Sequence, residues 1–68
     1  MRAQALAYLE ARLRVHRRAV EICHSLLEIL PNDGSRLFAA KEARNVAAIE
    51  WMIAELWAMN ERADREHG

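Results

Sequence analysis

Few side chains in this 68-residue sequence have types suited to catalysis: one cysteine, three histidines, two serines and no threonine. Cys23 and His16 stand seven apart, which on a helix puts them on one face, while His24 beside Cys23 is turned about 100° away. A Cys/His metal site carries paired spacings such as C-x-x-C or H-x-x-x-H, and the sequence has neither. A lone cysteine behaves more often as a small core hydrophobe. With two glycines in the whole chain there is no glycine-rich loop to cradle a phosphate. The sequence therefore predicts no enzyme, no metal and no cofactor.

The elements that must position these residues are helices. Apolar types make up 53% of the chain, and Gly and Pro together supply only three residues, which argues against disorder and against a turn-rich β fold. Turn chemistry is confined to Leu30-Pro31-Asn32-Asp33-Gly34-Ser35. Pro31 cannot continue a helix, Gly34 tolerates positive φ, and Ser35 can cap the next helix with its hydroxyl. The expectation is an all-α antiparallel hairpin forming a single domain over 1–68, with one helix over 2–30, a turn over 31–35, a second helix over 36–65 and a frayed tail.

In the first helix Leu6, Leu9, Leu13, His16, Val20, Cys23, Leu27 and Leu30 alternate spacings of three and four, a heptad seam. A second file, Tyr8, Val15, Ile22 and Ile29, runs at intervals of seven beside it. The second helix has its seam at Ala39, Val46, Ile49, Ile53, Leu56 and Ala63, flanked by Phe38, Met52 and Met59 on one side and by Ala43 and Trp57 on the other. Folding about Asp33 would set Leu13 near Ile53, Val20 near Val46, Leu9 near Trp57, and Glu50 opposite His16. Both apolar arcs are wider than one facing helix covers. A chain this short also has little stability to spare, so a homodimer, a four-helix bundle of two hairpins, is expected. The core and dimer residues are then Leu9, Leu13, His16, Val20, Cys23, Leu27, Val46, Ile49, Ile53, Leu56 and Trp57. His16, the one strongly polar seam member, either fixes register or senses pH.

Charge separates the halves while cancelling overall. Ten basic side chains balance ten acidic ones. Arg14, Arg17 and Arg18 share the polar side of the first helix, where they read either as a strip that could follow a phosphate backbone or as a solvated face paired with Glu21. On the second helix Trp51 lies about 150° from the Val46/Ile53 line, where a soluble helix usually shows Lys or Glu. Around it stand Arg44, Ala47, Ala48, Ala54, Glu55 and Ala58. An aromatic on flat alanine ground with an arginine at its rim is the composition of a protein-binding hot spot, though Trp51 could equally pack across the dimer. Glu10, Arg12 and Arg14 interrupt every apolar run before it reaches the length of a signal or a membrane span, so a cytoplasmic protein without a membrane partner is expected.

The leading expectation is a small non-enzymatic regulator that binds and inhibits another protein. Its Ala/Arg-rich composition and the stretch Lys41-Glu42-Ala43-Arg44 leading to Glu50-Trp51-Met52-Ile53-Ala54-Glu55-Leu56-Trp57 make the chain look like the small phage-encoded anti-activators of host quorum-sensing regulators. That resemblance implies a LuxR-type transcription factor as partner, occluded at its DNA-binding domain, and further host targets such as a pilus-assembly ATPase. In layout alone the chain also resembles the Rop family of RNA-binding hairpin dimers. That likeness implies RNA as the alternative partner, held by Arg14, Arg17 and Arg18, although no aromatic for stacking lies among them. A helix lying on a membrane surface fits less well, because Glu10, Glu21 and Glu28 would face anionic lipid.

Overall fold

A computed structural model describes residues 2–67 and contains two helices, α1 (Arg2–Ile29) and α2 (Asp33–His67), packed against each other. The pair is long and thin, with Cα extents of 55 × 16 × 13 Å. The predicted fold class, an all-helical hairpin, is what the chain adopts among these residues.

The turn is tighter than the sequence suggested, and the reason is Asn32. Its side-chain Oδ1 accepts a hydrogen bond from the Ser35 amide at 2.8 Å, and its carbonyl accepts from the Arg36 amide at 3.1 Å. Those are the two bonds of an N-cap, so Asn32 takes the role expected of Ser35, and α2 starts three residues before Arg36. Asp33 then occupies the first turn, where a carboxylate favours the positive end of the helix dipole, and lies 3.3 Å from Arg36. Gly34 is helical, and no positive φ occurs among the described residues, so the freedom expected of it is not used. α1 ends one residue early, at Ile29, and the region expected to fray stays helical through His67. Met1 and Gly68 lie outside the described residues.

Shortening the turn moves the fold centre from Asp33 to Pro31. At the open end Arg2 donates to Asn60 Oδ1 at 3.1 Å, which pins the alignment. By that register Leu13 lies level with Ile49, Leu9 with Ile53, Cys23 with Ala39, and Val20 with Glu42. Every expected pairing is displaced by about one helical turn, and Trp57, expected near Leu9, is left exposed. The seam itself is where the periodicity placed it except at Leu30, which lies past the end of α1 and is 50% exposed. Leu13, Cys23 and Ile49 are buried, and Leu6, Leu9, His16, Val20, Leu27, Val46, Ile53 and Leu56 are half-buried along it. In a two-helix unit only one stripe of each helix can be covered, which is why so few side chains are fully enclosed.

Candidate interaction surfaces

Two of the polar seam positions, one on each helix, are joined across the hairpin. His16 Nδ1 is 2.6 Å from Glu42 Oε2, with the two side chains only 16% and 12% exposed. On the other side of the ring Arg12 Nη2 lies 3.3 Å from Nε2. A guanidinium can only donate and a carboxylate only accept, so this arrangement suits a ring carrying its proton on Nδ1 and offering a lone pair at Nε2. Glu50, expected opposite His16, is instead 3.6 Å from Arg17. By that register Val46 lies level with His16, with Glu50 and Glu42 each one turn to either side, and it is Glu42, on the seam, that reaches the ring, while Glu50, on the flank, meets Arg17. A seam traced at every three- and four-residue step passes through Glu42 and Asn60, two positions whose polarity hides them from a search for apolar residues.

Antiparallel helices that face each other share their flanks: files displaced from the two seams in the same rotational sense fall on the same side of the hairpin. On one side this groups Tyr8, Val15, Ile22 and Ile29 of α1 with Phe38, Met52 and Met59 of α2, all of them exposed. Ala19, Leu26 and Asn45 lie between them, half-buried. The opposite side carries Arg17, Glu21, Ala43 and Glu50, with Trp57, 51% exposed, on the same file of α2 as Ala43 and Glu50. There the Arg17–Glu50 pair spans the two helices beside a shallow groove of about 300 Å³ lined by Arg17, Val20, Glu21, Ala43 and Val46.

The three arginines singled out on α1 are not equivalent. Arg17 is engaged with Glu50, and Arg18 donates to Glu21 at 3.0 Å. Among the described residues only Arg14 of the three has no carboxylate within 4.0 Å. Two exposed ion pairs of this kind contribute little to stability, but they reduce the free positive charge of the strip.

Trp51 projects from the back of α2, turned away from α1, and is 65% exposed. Arg44, Ala47, Ala48, Ala54 and Glu55 around it are exposed and Ala58 is half-buried. Neither Arg44 nor Glu55 makes an ion pair within 4.0 Å with another described side chain, so both rim charges are open to a partner. Cys23 is free and 2% exposed, packed as a core residue. Among the described residues no three His, Cys, Asp or Glu side chains are grouped closely enough to hold a metal ion, and no helix is long and apolar enough to cross a membrane. Comparison with protein-family models, with curated proteins and with solved structures finds no match for the chain.

Proposed function

We propose that this chain is a non-enzymatic regulator that acts by contact: a homodimer of helical hairpins, forming a four-helix bundle, that binds and inhibits another protein through the outer surface of α2. The observation that carries the reading is Trp51. It is a large aromatic at 65% exposure on a surface of alanines with Arg44 and Glu55 at the rim, pointing away from the hairpin's own core. Aromatics held on a rigid helix supply contact area at low entropic cost, and small neighbours let a partner approach the helix backbone closely. Two long helices also offer surface and little enclosed volume, which suits stoichiometric binding better than turnover.

The resemblance to phage-encoded anti-activators supplies a definite partner, a LuxR-type transcription factor occluded at its DNA-binding domain in the cytoplasm of the host. The test is a gel shift of a purified LuxR-type regulator on its operator DNA. The hairpin should release the DNA as it is titrated in, and Trp51→Ala should weaken that release about tenfold or more. The alternative is RNA binding along Arg14, Arg17 and Arg18, and the pairing of two of these with glutamates weighs against it. RNA binding predicts the reverse sensitivity: a salt-dependent shift of structured RNA that disappears when all three arginines become Glu and survives Trp51→Ala. A regulator that stays on its operator at saturating hairpin, or is released equally by Trp51→Ala, rejects the α2 surface.

A further inference from the structure

The apolar side of the hairpin has an internal order that the dimer proposal above does not use. Six of its residues fall into three layers, Tyr8 beside Met52, Val15 beside Asn45, and Ile22 beside Phe38, the members of each lying within about half a turn of level by the register that Arg2 and Asn60 set, with Ile29 and Met59 beyond them at opposite ends. Successive layers are seven residues apart on both helices. The outer two are apolar, and the middle one holds a single amide. Asn45 is half-buried, and its side chain makes no hydrogen bond to any described residue. An amide carries both donors and an acceptor, so it is the one kind of polar side chain that pairs fully with an identical copy of itself.

This pattern is its own mirror about the middle layer. A two-fold axis through that layer, perpendicular to the helices, sets Tyr8 and Met52 of one hairpin on Ile22 and Phe38 of another, Val15 on Val15, and Asn45 on Asn45. Isologous interfaces require such self-complementarity, and a foreign partner does not. The face is also the right size. The axis at Asn45 lies 14 residues from Pro31, so the two hairpins overlap over roughly 42 Å, which at 16 Å wide is on the order of 700 Å² of face per hairpin, close to the roughly 800 Å² per partner of a stable interface. Charge is sparse across it, with Arg12 tied to His16 and Lys41 and Glu55 at the α2 edge.

We infer that the occupant of this face is a second copy of the chain, and that Asn45 pairs with Asn45 of that copy to fix the alignment, with the two Pro31 turns at opposite ends. The inference rests on the dimer proposed above and adds to it the face, the axis and the residue that selects them. A lone amide in an apolar seam fixes register because every other alignment leaves it buried without a partner. Both Trp51 surfaces stay outside such a dimer, so the assembly presents two copies of the proposed binding surface.

The experiment combines sedimentation of the full chain between 1 and 100 µM with a spin-label distance. A dimer is expected for the wild type. Val15→Glu, an exposed position in the lone hairpin, should weaken association about 100-fold or more, while Trp51→Glu leaves it intact. Asn45→Leu should still associate but populate more than one alignment. Labels attached through Asp64→Cys, nineteen residues from Asn45, should lie roughly 57 Å apart across the axis at 1.5 Å per residue. This last readout does not depend on any variant that might fail to fold. A monomer at 100 µM overturns the dimer itself. A dimer indifferent to Val15→Glu, or one with labels within about 25 Å, leaves dimerisation standing and overturns this face or this alignment.

Discussion

The two sides of the hairpin share one backbone geometry and differ in how they meet water. On one, Arg17 and Glu50 reach across from α1 to α2 and glutamates stand along the edge. On the other, Tyr8, Val15, Ile22 and Ile29 face outward at heptad spacing, with Phe38, Met52 and Met59 beside them, and among the described residues no ion pair crosses there. Scattered exposed hydrophobes need no explanation, but a file repeating every seven residues has the period of a helix that expects another helix. The contrast teaches that the seam alone does not account for the sequence. Part of the apolar pattern is covered by the fold, and the rest stays exposed in the single hairpin.

Substitutions that discriminate seam from flank sharpen the comparison most. Ile49→Ala, at a position 7% exposed, should cost about 2–4 kcal/mol by thermal or denaturant unfolding, whereas Ile22→Ala should act mainly through association and so vary with protein concentration. Equal effects at both positions, independent of concentration, would erase the distinction. Removing the acceptor of the seam imidazole comes next. Glu42→Ala should cost about 1–3 kcal/mol, because His16 then loses its only acceptor in a mostly buried site. Smallest is the polar side. Arg17→Ala should change stability by no more than about 0.5 kcal/mol, since the pair with Glu50 is half exposed at both ends and screened by solvent.

Much of the fold was legible because periodicity reports burial directly. The spacing of Leu6, Leu9, Leu13, Val20, Cys23 and Leu27, and of Val46, Ile49, Ile53 and Leu56, places the seam without any knowledge of the turn. Register was not legible, because it depends on which residue caps α2. Asn32 and Ser35 are both good caps, and only Asn32 sits where its carbonyl can also begin the helix. Choosing Ser35 lengthens the turn by three residues and shifts every pairing by one turn, which places Glu50 opposite His16 and passes over Glu42. Trp51 was legible as an outlier on a polar arc, since the angle from the seam does not depend on register. Asn45 was not, because a half-buried amide between Phe38 and Met52 gains meaning only when the two flanks are known to share a side.

Equal exposure of two aromatics provides the most direct test. Tyr8, on the apolar side, and Trp51, on the back of α2, are each 65% exposed in the lone hairpin. Hydroxyl-radical footprinting at 100 µM, with each residue's labelling normalised to that of the unfolded chain, should find Tyr8 strongly protected together with Met52, and Trp51 open. Tyr8 and Trp51 labelled to the same extent would mean that nothing covers the apolar side in solution.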